Sequence, residues 1–141
     1  MLISPEQFQL AQELRDIGLS PRFEVGDIVA RGFADLGYEE FQVLPGSKVL
    51  SLTAGSITAI DAEQSSHFIW LPTIDEIVAL LERLSILLAE VNRHESRSWM
   101  LTLMPEQKSI AIAVSHASLQ TAMLIGLRNV LRDNPELVQL V

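Results

Sequence analysis

Apolar residues recur at helical spacing in three stretches of this chain and alternate with polar ones in several shorter pieces between them. Over residues 5–17, Leu10, Leu14 and Ile17 form one stripe with Phe8 and Ala11 alongside, while Gln9, Gln12, Glu13 and Asp16 take the opposite side. Ser4 is the expected N-cap, and Pro5 occupies the first helical position, where its missing N–H costs nothing. Gly18 supplies a stop, and Ser20-Pro21 prevents continuation. From residue 74, Ile74, Ile77, Val78, Leu81, Leu84, Leu88 and Val91 keep the 3–4 spacing, and Leu80 and Leu87 widen the stripe. A second helix is therefore predicted over residues 74–91. Thr73 and Glu76 make a capping-box pattern at its start, Asp75 adds negative charge at the positive helix end, and Pro72 holds the preceding residue extended. A third helix is predicted over 118–131, with Leu119, Ala122, Met123, Leu127, Val130 and Leu131 inward and Asp133-Asn134-Pro135 ending it. Gly126 within it costs about 1 kcal/mol against alanine, which predicts close approach to another backbone, with the small-residue strand as the candidate.

Between the helices the pattern shortens. Gly26, Gly32, Gly37, Pro45, Gly46 and Gly55 break residues 22–66 into β-rich pieces at 28–30, 41–44, 49–52 and 57–60, predicted as short antiparallel strands. Ala54-Gly55-Ser56 reads as a hairpin turn, and His67–Leu71 as a short buried strand. Trp99, Leu101 and Leu103 alternate with Met100, Thr102 and Met104. After a turn at 105–109, Ile110, Ile112 and Val114 alternate with the small residues Ala111, Ala113 and Ser115, a face on which a helix is expected to pack closely. The fold class predicted is α+β: one domain over residues 1–141, with a small, mainly antiparallel sheet covered by about three helices. The 99–104/110–115 hairpin is expected at its centre, with the second and third helices on one face.

Composition narrows the function classes more than it chooses among them. Hydrophobic residues make up 48% of the 141 and charged residues 20%, a globular balance that argues against disorder. The absence of cysteine excludes disulfides, thiolate metal sites and thiol nucleophiles. Eighteen acidic and 10 basic residues give a net charge of −8, and phosphate-backbone binding relies on clustered Lys and Arg. Arg93/Arg97 and Arg128/Arg132 come closest to a cluster, and both pairs are expected near helix ends, where they favour the dipole. A nucleic-acid partner is not expected. Residues 1–6 lack the basic residues and apolar run of a secretory signal, and the run 85–91 is far short of a bilayer span. The expectation is a soluble cytoplasmic protein with no membrane partner.

No constellation of residues points to a particular chemistry. His67, His94 and His116 lack the spacing of a zinc site, and His94 and Glu95, as neighbours, face different ways. Leu44-Pro45-Gly46-Ser47-Lys48 offers a glycine, a hydroxyl and a lysine but in the wrong order for a phosphate loop, so it reads as a turn. Gly26, Gly32 and Gly37 do not match a dinucleotide fingerprint, and there is no G-x-S-x-G. Asp27, Asp35, Asp61, Glu63, Asp75 and Glu76 are the candidate carboxylates, of which the last two are already used by the helix start. Trp70 and Trp99 are read as core residues rather than stacking platforms. No catalytic, cofactor-binding or metal-ligating residue is assigned, and no cofactor is expected.

The segment Trp70-Leu71-Pro72-Thr73-Ile74-Asp75-Glu76 before a leucine-rich helix, with Ala117-Ser118-Leu119-Gln120-Thr121-Ala122 leading to Leu127-Arg128-Asn129-Val130-Leu131, resembles small uncharacterised bacterial or phage-type proteins. The resemblance covers residues 68–132 and implies no activity, cofactor or site. The expected function is a non-enzymatic interaction or accessory protein that self-associates as a homodimer. It rests on the broad stripe of the second helix and the apolar tail Leu137–Val141. The competing expectation is a small-molecule-binding protein or enzyme with a pocket between residues 22–66 and the helices.

Overall fold

The computed structural model describes residues 3–19, 23–33, 37–93, 97–105 and 112–140. The chain divides into two compact units, Met1–Arg15 with Ser20–Pro72 and Asp16–Leu19 with Thr73–Val141. The fold is α+β, with two antiparallel sheets, one in each unit.

In the first unit, α1 (Pro5–Ile17) begins where the caps predict. Ser4 Oγ accepts from the Gln7 N–H at 3.1 Å, and Gln7 Oε1 accepts from the Ser4 N–H at 3.0 Å, so two end donors are satisfied reciprocally. Strands β1 (Ile28–Phe33), β2 (Gly37–Leu44), β3 (Lys48–Ser51) and β4 (Ile57–Ala59) form the antiparallel meander expected from the broken β-rich pieces. A single helical turn, α2 (Ala62–Ser65), follows, and β5 (Ile69–Trp70) returns to pair beside β1, giving the order β4-β3-β2-β1-β5.

Both faces of this sheet carry apolar side chains because consecutive residues point opposite ways. Ala30, Ile69 and Leu71 pack with Ala11 of α1, joined by Ile3, Phe8 and Ile28. On the other face Val29, Phe41, Val49 and Phe68 cluster with Phe23, Val43 and Ile60. Phe41 and Phe68 meet edge to face at 5.2 Å and 90°. The start of α1 is fixed from β2, where Tyr38 and Glu40 lie on one face. The Tyr38 hydroxyl donates to the Ile3 carbonyl, the Glu40 carboxylate accepts from the Ile3 N–H, and the Phe8 ring stacks on Tyr38 at 4.6 Å. Glu40 is only 1% exposed, and the charge-assisted bond offsets part of the cost of taking its carboxylate out of water.

In the second unit, α3 (Ile74–Arg83) starts at the predicted capping box. Thr73 Oγ1 accepts from the Glu76 N–H at 3.2 Å and Glu76 Oε1 from the Thr73 N–H at 3.1 Å. It does not continue to Val91. Leu84 closes the helix and Ser85 turns to φ 57°, a left-handed conformation that ends helices. Residues Ile86–Arg93 form strand β6, which corrects the prediction of one helix over 74–91 and removes the broad apolar stripe that supported self-association. Strand β6 pairs with β7 (Trp99–Pro105), which pairs with β8 (Ile112–His116), giving the order β6-β7-β8.

Helix α4 (Leu119–Asp133) packs on β7 and β8, and α3 packs on α4 and β6. The N-cap of α4 is Ser118, which the prediction places inside the helix, and the Asn134 side chain donates to the Val130 carbonyl at 2.8 Å to close its far end. A short 3₁₀ segment, Pro135–Leu140, follows. Gly126 sits where a Cβ would lie 2.5 Å from Leu103 Cδ1 and 3.6 Å from Val114 Cγ2, so what approaches it is side chains of the hairpin and not the backbone expected from the sequence. The small residues behave otherwise than expected. Ala113 and Ser115 are exposed on the face turned away from α4, which packs instead against the face carrying Leu101, Leu103 and Val114; Ala111 lies outside the described residues. Trp70 and Trp99, expected in the core, are each half-buried, and the Trp70 Nε1 is enclosed without an acceptor among the described residues. Among the described residues no helix is long and apolar enough to cross a membrane.

Candidate functional site

Two surfaces stand out, one in each unit. In the first, the side of the sheet opposite α1 opens into a recess of about 620 Å³, within the size range of small-molecule sites. Val29, Val49 and Phe68 form its buried floor and Val43, Ile60 and Phe23 its half-buried walls. The rim comes from the β2–β3 loop and from α2. In the loop, Gly46 and Ser47 take φ 79° and 56°, and the Ser47 carbonyl accepts from the Ile60 N–H at 2.8 Å, bracing the loop against the end of β4. Positive φ is routine for glycine but uncommon for serine, so Ser47 is held by this bracing. On the other side, Asp61 caps α2: its Oδ1 accepts from the Gln64 N–H at 2.8 Å, and Gln64 Oε1 accepts from the Asp61 N–H at 3.0 Å. Ser66 Oγ donates to the Glu63 carbonyl at 2.6 Å.

The recess lies wholly within residues 23–68 and takes no residue from α1, α3 or α4, so it differs from the pocket expected between residues 22–66 and the helices. The turn reading of residues 44–48 holds, because β2 and β3 pair directly across it. What that reading lacked was the place of Gly46 and Ser47 on a rim. Residues from five separate stretches line the recess, so no local motif announces it. The capping box Asp61-Ala62-Glu63-Gln64 was the one legible signal nearby.

The remaining candidates do not converge. Asp27 accepts from the Glu24 N–H at 2.8 Å within a turn. Asp75 and Glu76 begin α3, while Asp35 lies outside the described residues. His67 is exposed in a turn, His94 is outside the described residues, and His116 Nδ1 accepts from the Ser118 N–H at 2.9 Å, next to the cap of α4. Among the described residues no three metal-ligating side chains come together. Arg93 and Arg97 are not at a helix end, since Arg93 ends a strand, where its guanidinium lies 5.8 Å from the Trp99 ring centre.

The second surface is the outer face of the β6-β7-β8 sheet. Leu87 pairs with Met104 across the strands, and Met100 lies on the same face two pleats along; these three are 60%, 37% and 38% exposed. Beside them lie Thr102, Ala113 and Ser115, all small, with Glu90 and Asn92 at the β6 margin. Along β7, Thr102 separates Met104 from Met100, so the long apolar side chains stand at the two ends of the face, with Glu90, Thr102 and Ala113 between them. No family model matches this chain, and neither does any curated protein or solved structure.

Proposed function

We propose that this is a non-enzymatic interaction protein of the cytoplasm that self-associates through the outer face of the β6-β7-β8 sheet. The observation that carries the reading is the exposure of Leu87, Met104 and Met100 on one sheet face, with the short side chains of Thr102, Ala113 and Ser115 beside and between them. A two-fold rotation would bring two copies of this face together, the arrangement of an isologous dimer. This support replaces the helical stripe that the second unit does not possess. The net charge of −8 argues for a protein partner rather than a nucleic acid.

Three strands about 4.8 Å apart and about five residues long offer roughly 300 Å² on one face. Two copies together would bury about 600 Å², below the usual range of stable interfaces, so a weak dimer that forms only in the high micromolar range is the expectation. Light scattering across a concentration series tests it. The mean mass should climb from 15.6 kDa toward twice that value, and Leu87→Lys, at an exposed position that leaves the core intact, should hold the protein at the monomer mass. A wild-type chain that stays monomeric throughout the high micromolar range refutes the reading.

A further inference from the structure

The recess of the first unit is independent of that association face, and its chemistry is selective. Its floor and walls are apolar: Val29, Val43, Val49, Ile60 and Phe68. Among its described lining residues Asp61 is the one charged side chain. One oxygen of Asp61 accepts from Gln64, while no described residue donates to the other. Ser47 and Ser65 line the same recess. A carboxylate or phosphate would meet an acidic rim on a chain of net charge −8, so an anion is disfavoured both locally and at long range. A wholly apolar molecule would fill the floor but make no use of the rim.

We propose that the recess binds a small organic ammonium compound, its hydrocarbon or aromatic body on the Val29, Val49 and Phe68 floor and its cationic end at Asp61. The volume of about 620 Å³ admits a body of one or two rings. The ammonium group donates to the oxygen of Asp61 that Gln64 does not use. Asp61 is exposed, so its charge contributes selectivity rather than most of the affinity, worth about fivefold over a neutral isostere.

The test uses the full chain, isotopically labelled for amide NMR, with phenylpropylamine, phenylpropanol and phenylpropionate as probes of equal size and different charge. The expected result is saturable shifts at Ser47, Ile60, Ser65 and Phe68, with the amine about fivefold tighter than the alcohol and the carboxylate weakest. Asp61→Asn retains a good N-cap, so α2 persists, and this variant should bind amine and alcohol equally. Ala62→Trp, at an exposed rim position, should abolish binding of both while leaving the dispersed spectrum of the folded chain. Absence of saturable shifts with the amine at millimolar concentration overturns the proposal, as does an amine preference that survives Asp61→Asn.

Discussion

Replacing Gly126 by alanine sets two opposed effects against each other, and the structure decides the sign. In the middle of α4 alanine is favoured over glycine by about 1 kcal/mol on helix propensity alone. The new methyl group would lie 2.5 Å from Leu103 Cδ1, more than 1 Å inside the usual carbon–carbon separation. Leu103 is 1% exposed and Val114, the next neighbour at 3.6 Å, is also buried, so the end of the leucine must shift within packed surroundings. Overpacking of this kind costs about 1–3 kcal/mol. The net expectation is a loss of about 1 kcal/mol, read as a lower urea midpoint or a fall in Tm of about 2–4 °C. Shortening the opposing side chain should reverse the sign. In a Leu103→Val background both Cδ atoms are gone, and Gly126→Ala should then stabilise by close to its full propensity gain. A double-mutant cycle measures the coupling, with about 1–3 kcal/mol expected between the two sites. A higher midpoint for Gly126→Ala alone, or no coupling to residue 103, would refute the argument that close packing holds glycine here.

Two further outcomes are expected. Ser85 holds φ 57° where α3 gives way to β6, so Ser85→Gly should raise stability by about 1 kcal/mol through relief of the left-handed conformation; a drop in chemical unfolding midpoint would mean the serine side chain holds the junction. Burial, and secondarily the Glu40 carboxylate, raise the Tyr38 phenol above its ordinary pKa of 10.0. The neutral phenol is therefore favoured by folding, its contribution is complete below pH 10 and is lost as pH rises through the higher folded value. Stability measured against alkaline pH should fall more steeply in the wild type than in Tyr38→Phe, and parallel curves would show that the ionisation is not linked to folding.

What could be read from the sequence depended on how local its cause was. The starts of α1, α3 and α4 are set by side chains within three residues of the cap; Ser4 and Thr73 announced the first two, while Ser118, placed inside the predicted third helix, proves to be the cap of α4. The meander was legible because glycines at 37, 46 and 55 with positive φ sit at its turns. Strand β6 was not. Leu84, Leu88 and Val91 fit a helical stripe, and the alternation that marks a strand is broken inside β6 itself, where the register with β7 shifts between Leu88 and Glu90. A bulge places an extra residue on one strand, so Leu88 and Val91 pair opposite the inward residues Leu103 and Leu101 although three positions separate them. Only the pairing partner reveals that period. The recess escaped for a similar reason, since its floor joins Val29, Val49 and Phe68 across the sheet.

The return of β5 to β1 carries a kinetic consequence. In the first unit, β1 to β4 pair with their sequence neighbours, but Val29 meets Trp70 across about 40 residues of intervening chain. Closing a loop of that length costs about 2 kcal/mol more entropy than closing a three-residue hairpin, and β5 offers only two residues of ladder in return. The second unit has β6, β7, β8 and α4 each against its neighbour in the chain. Contacts of short sequence separation form faster. The two units should therefore acquire structure on different timescales, with the meander of the first assembled early and its last strand docking as the slow step.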